Sequence, residues 1–291
     1  MSTMKMDAAH YISTLDQLPV VPGEPDNAAF AIVDLAGTPD FLKGLYAAMA
    51  NGHIRWVSLL EGTRWQSGWQ AGPILVEMSD RPDVQKLAAG KLADAGVGLV
   101  IDCNQSFDDM IAWGRSRLLA LAESDERLFR FYEPRSMKPL LAVLGDKAST
   151  LFPPESTIYW HDSQRWMNRE TGPLQSTDEA LREWKLSQAE LAGLPDYRQA
   201  QRACQLAEVY RDHIGQAGDP RIWTLERLHE ATAHGCSKVS QQERWLRIAL
   251  QIDTPILSEP TLRNLAVNAE MPAEDRLIAM ERFVESEHAT A

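Results

Sequence analysis

The chain has 291 residues, 44% hydrophobic and 24% charged, with a formal net charge of −12. This length suits two lobes of ordinary size, and the composition is ordinary for a globular protein, so disorder is not the default for the body of the chain. The acidic balance argues against nucleic acid as a partner, because phosphates are matched by Lys and Arg, and equally against an anionic membrane surface.

The first residues, MSTMKMDAAHYIS, lack the apolar core of a signal peptide, and no run of about 18 apolar residues follows anywhere. Residues 1–28 are weakly patterned and end in PVVPGEPDN, which reads as a surface arm. An α/β lobe is expected over 29–145. FAIVDL (30–35) reads as a buried strand, and Thr38-Pro39-Asp40 as the opening of a helix that stops at Asn51-Gly52. WVSLL (56–60) and PILVEM (73–78) are further strands, with no helix between them, so the sheet is expected to be mixed. A helix over about 82–95 precedes Gly96, GLVID (98–102) is a strand, and Ser106 with Asp109 forms a capping box for a helix to about Ala122. RLFRFYEP (127–134) alternates like a strand, and a short apolar helix over about 136–144 closes the lobe.

Residues 146–175 read as an irregular linker with a short strand at TIYW (157–160). From 176 to 291 the pattern is helical, giving an all-α lobe of about five helices. Ser176 and Glu179 form a capping box before Leu181, Trp184 and Leu191. Ala203, Ala207, Tyr210 and Ile214 recur at helical spacing, as do Ile222, Leu225 and His229. Trp245, Ile248, Ala249 and Ile252 follow behind a Ser240/Glu243 cap, and Leu277, Met280 and Val284 close the set.

Motifs that carry chemistry are scarce. His229 and His234 are five residues apart, about 140° around a helix, so they do not share a metal ion as the i, i+4 pair of a zinc protease does. Gly96-Val97-Gly98 precedes a strand, whereas a dinucleotide fingerprint follows one, and Gly90-Lys91 lacks the rest of a P-loop. No nucleophile elbow occurs. Cys103, Cys204 and Cys236 are odd in number and far apart, which fits a reducing cytosol. Four predicted strands end on carboxylates, Asp34, Glu61, Glu77 and Asp102. In a parallel sheet these would gather at one edge and could hold magnesium; in a mixed sheet they would part to opposite edges. The nine tryptophans, and 13 arginines against two lysines after residue 150, are the residue types that protein interfaces favour. Trp65, Trp69, Trp160, Trp166 and Trp184 are therefore candidate partner-binding residues, although each also serves to pin a loop onto a core.

One ordered series resembles a known family. AIVDLAGTPDFLKGLYAA (31–48), WVSLLEGT (56–63), GPILVEM (72–78), VGLVIDCNQSFDDMIAWGRSRL (97–118) and LFRFYEPRSMKPLL (128–141) look like the adaptor, or effector-chaperone, domain of bacterial type VI secretion systems. The anchors are Glu61, Gly62, Thr63, Phe129, Arg130, Phe131, Tyr132, Pro134 and Arg135, in the family's order. Gly96-Val97-Gly98 departs from it, standing where members often carry a bulkier aromatic stretch. The resemblance implies a non-enzymatic protein of the Gram-negative cytoplasm, without cofactor or metal. It would bind a toxic effector and help mount it on the VgrG spike, with the helical lobe reading the cargo. It also implies that Arg130 and Arg135 pair with Glu61 or Glu133 to hold the lobe together. Two rivals stay open: an immunity-type protein that binds a toxin to neutralise it, and a magnesium-dependent hydrolase built on the strand-end acids.

Overall fold

The structure is a computed structural model that describes residues 7–121, 127–173, 184–215, 218–252 and 255–290. It divides into two units, Gln17–Leu194 and Met1–Asp16 with Pro195–Ala291.

The first unit is built on strands β1 (Val21–Pro22), β2 (Phe30–Asp34), β3 (Trp56–Ser58), β4 (Pro73–Glu77), β5 (Leu99–Asp102), β6 (Thr157–His161) and β7 (Trp166–Glu170). Their order in the seven-stranded sheet is β1-β7-β6-β5-β2-β4-β3. Each ladder is antiparallel, so the expected mixed sheet is an antiparallel one. Side chains alternate across it. Phe30, Ile32, Leu75, Leu99, Ile101, Ile158 and Trp160 point to one face, where α4 (Phe107–Leu118) and α5 (Met137–Leu144) complete the larger core. Ala31, Val33, Ile74, Val76 and Val100 point to the other, under α2 (Phe41–Ala48) and α3 (Pro82–Ala95). Because both faces of the central strands are covered, FAIVD is buried at all five positions and shows no polar alternation.

Several local signals act as expected. Ser106 Oγ accepts the Asp109 N–H at 3.2 Å and donates to its carboxylate at 2.6 Å, which starts α4. Gly96 ends α3 in the left-handed region at φ 61°. Thr38, by contrast, does not cap α2: its hydroxyl donates to the Asp34 carbonyl at 2.7 Å and closes the turn after β2.

Two expectations are corrected. The stretch expected to be a linker over 146–175 instead carries β6 and β7, which form a hairpin inside the sheet. Its turn is held by Asp162, whose Oδ1 accepts from Gln164 N and Arg165 N at 3.0 Å. Residues 127–134 are not a strand. Their burial alternates, with Phe129 and Phe131 inside and Arg130 outside, but the Phe131 N–H turns back to the Phe129 carbonyl at 2.9 Å and no ladder forms. The segment is an aromatic loop laid on the larger core beside α4.

The second unit consists of α1 (Ala8–Asp16), α7 (Pro220–Ala233), α8 (Val239–Leu250), α9 (Pro260–Val267), α10 (Ala273–Thr290) and the part of α6 (Gln188–Val209) that follows Leu194. The segment expected to be a free arm thus supplies a helix whose Tyr11 and Ile12 are buried. Trp245, Ile248, Leu262, Leu277, Met280 and Val284 form the core of the helices after 219. The N-terminal bond at α8 runs from the Lys238 N–H to Gln241 Oε1 at 3.2 Å, two residues before the expected Ser240/Glu243 cap. The expected cap at Ser176 and Glu179, and Leu181, lie outside the described residues; Trp184 precedes α6 rather than lying on it.

Candidate functional site

The turn after β3 is set by residues 58–66. Leu60 carbonyl accepts the Thr63 hydroxyl at 2.6 Å, Trp65 N–H donates to the same hydroxyl at 3.2 Å, and Gly62 N–H donates to Gln66 Oε1 at 2.9 Å. Gly62 takes φ 74°, a conformation that disfavours a Cβ, which explains glycine between Glu61 and Thr63. Glu61 is exposed and meets Arg115 of α4 at 3.5 Å, not Arg130.

Arg130 instead reaches Asp34, the buried carboxylate at the end of β2, and also Glu133 at 3.3 Å. Asp34 Oδ1 further accepts the Ala36 N–H at 3.0 Å. Burial works against the Arg130 charge, but Tyr132, Asp34 and Glu133 outweigh it and hold the guanidinium above its ordinary value. Burial and the neighbouring Asp34 push the Tyr132 phenol well above its ordinary range, so it stays neutral. Phe131 packs edge-on against Trp113 at 5.2 Å, and Phe129 stacks on Trp184 at 6.2 Å. Pro134 is buried, whereas Arg135 is exposed and makes no ion pair among the described residues. The anchors therefore serve two purposes. Asp34, Arg130, Tyr132 and the buried aromatics tie the 128–134 loop to the sheet, while Glu61 and Arg135 remain at the surface.

The tryptophans divide in the same way. Trp160 is 1% exposed on the core face of β6, and Trp184 is 5% exposed. The Trp184 indole donates to Thr150 Oγ1 at 3.0 Å, under the cations of Arg117 and Lys147 at 5.2 and 5.0 Å. Both are core residues, which corrects their reading as partner-binding candidates. Trp65, Trp69 and Trp166 are partly exposed. Arg64 lies over Trp65 at 4.1 Å, and Trp69 meets Trp56 at 6.0 Å. Much of the arginine after residue 150 is likewise internal. Arg202, Arg221, Arg227 and Arg244 pair with carboxylates of the second unit, and Arg276 caps the His234 carbonyl at 2.7 Å.

The strand-end acids part. Asp34 lies opposite Pro73 and Glu61 follows the same end of β3, whereas Glu77 lies opposite Phe30, beside Ile101 and Asp102. Two acids thus sit at each edge of the sheet, and among the described residues no group of three or more His, Cys, Asp and Glu is arranged to hold a metal ion. A cavity of about 680 Å³ opens at the Glu77 and Asp102 edge. Arg55 crosses it, stacked over Phe107 at 4.3 Å and paired with Glu77 at 3.7 Å and Asp108 at 3.4 Å. The Arg55 charge is matched by these two carboxylates, and Asp80 and Asp102 also line the cavity. His229 and His234 are half-buried, and His234 stacks on Trp245 at 5.5 Å.

The arrangement is one of structural ion pairs and half-exposed aromatics. Residues 29–150 match the model of a family described as a domain of unknown function, DUF4123. No curated protein and no solved structure matches the chain. No helix among the described residues is long and apolar enough to cross a membrane.

Proposed function

We propose that this chain is a protein-binding adaptor of a type VI secretion system. It would hold a toxic effector in the bacterial cytoplasm and help mount it on the VgrG spike, without catalysing a reaction. The observation that carries this reading is the family match over 29–150, which covers the same stretch as the ordered motifs from 31 to 141. The geometry is in keeping with it: the motif residues Arg130, Tyr132 and Gly62 are used to build the lobe, and the strand-end carboxylates are divided between opposite edges. A stable capture of cargo would bury about 1,200–2,000 Å² in total.

The test is a pull-down of the tagged chain from its native host, read by mass spectrometry. The reading expects a VgrG-type protein together with one large toxin-like protein. Recovery of a toxin alone would favour neutralisation instead.

A further inference from the structure

The face of the sheet that α2 and α3 cover changes character along its width. On β2 and β4 its residues are fully buried, as Ala31, Val33, Ile74 and Val76 show. On β6 and β7 the same face carries Thr157, Tyr159, Trp166 and Glu170, none of them fully buried, with Tyr159 and Trp166 half-buried against the edge of the same apolar cluster. Register aligns them in rows: Asp102 lies opposite Thr157, and Thr157 opposite Glu170, so two carboxylates flank one threonine across three strands. Tyr159 is the next residue inward on β6, and Trp166 lies further along β7. Burial first, then the charges of Asp102, Asp26 and Glu170, raise the Tyr159 phenol above its ordinary value. Of the bases nearest in sequence, Arg169 alternates to the opposite face and Arg165 stands in the exposed turn between the strands, while His161 shares this face, edge-on to Trp166 at 5.6 Å.

We infer that this acidic, aromatic half of the sheet face is a docking surface for an arginine-bearing, apolar segment of a partner protein. The argument is charge complementarity. A guanidinium gains from lying over an aromatic ring and from carboxylates at the rim, and Trp, Tyr and Arg are the residues that dominate interface energetics. The inference deepens the adaptor reading by naming the chemistry of the cargo segment, and rests on that reading for its biological sense alone.

The experiment titrates the full chain with a fluorescently labelled 15-residue peptide of alternating arginine and leucine, and with its glutamate counterpart, by anisotropy. The arginine peptide is expected to bind, with an affinity that falls as salt rises, and the glutamate peptide not to bind. The double variant D102N/E170Q is expected to bind about tenfold more weakly with an unchanged melting temperature. Two charges out of a net −12 would hardly alter non-specific attraction. Equal binding by the wild type and the double variant, or no binding of the arginine peptide, overturns the inference. The host pull-down tests the adaptor reading separately, so failure of one is distinguishable from failure of the other.

Discussion

A carboxylate taken out of water at the end of β2 needs compensation, and Asp34 receives it from Arg130 and from the backbone of the turn that follows. Breaking a fully buried pair costs about 3–5 kcal/mol, but half of the Arg130 side chain is in solvent. Arg130→Ala is therefore expected to lower stability by about 1–2 kcal/mol in urea unfolding, more than Arg135→Ala, which is expected to change it by less than about 0.5 kcal/mol. Equal effects would mean that the Asp34 pair adds nothing. Two glycines make a second residue-scale contrast. Gly62 has φ 74° with open space around it, whereas a Cβ on Gly98 would sit 2.3 Å from the Ile32 carbonyl oxygen. Gly62→Ala is expected to cost about 1 kcal/mol of backbone strain, and Gly98→Ala clearly more, because β2 itself would have to move. Glycine at 98 is thus a requirement of close backbone approach in this chain.

At the level of elements, the indole of Trp184 is hydrogen-bonded and stacked between the 128–134 loop and Lys147, and Trp160 fills the core face of β6. Trp184→Ala is expected to lower stability by about 3 kcal/mol, as large-to-small core changes do. A partner-affinity loss without a fall in melting temperature would contradict its placement. Tyr11 of α1 donates to Asp196 at 3.1 Å, and burial with Asp196 pushes its phenol up to about 12. A raised value stabilises the fold fully below the unfolded value near 10 and loses that contribution as pH climbs toward 12. Tyr11→Phe should cost about 1 kcal/mol at pH 8 and flatten the alkaline loss of stability between pH 10 and 12. An unchanged alkaline profile would show that Tyr11 does not titrate with unfolding.

These elements also show what the chain's letters could reveal. Strands β2, β4 and β5 and helices α3, α4 and α5 were legible, because buried runs, caps and terminal glycines are local signals. The β6–β7 hairpin was half-hidden: prolines at 153 and 154 and the Gly172 beyond look like linker punctuation, although Ile158 and Trp160 alternate as a half-buried strand should. The 127–134 segment shows the converse, since alternation records which side chains are buried and not whether a neighbouring strand exists. The partner of Arg130 was missed because Asp34 is 96 residues away, and only the antiparallel register brings the end of β2 to that loop. Tryptophan counts could not separate Trp160 and Trp184 from Trp166, because residue type alone does not say which indole is buried.

For the molecule as a whole, the division of Asp34 and Glu61 from Glu77 and Asp102 weighs against a hydrolase built on those acids. Magnesium at millimolar concentration is accordingly expected to leave the melting temperature unchanged; a rise would signal a bound ion by mass action. The central claim, that the chain loads cargo rather than neutralising it, is tested most directly by deleting its gene in the native host. Effector delivery to competing cells and survival of the deleted strain are then measured together. The adaptor account predicts that delivery of one effector is lost while the strain grows normally. Self-poisoning of the deleted strain, or delivery at the wild-type level, would contradict it.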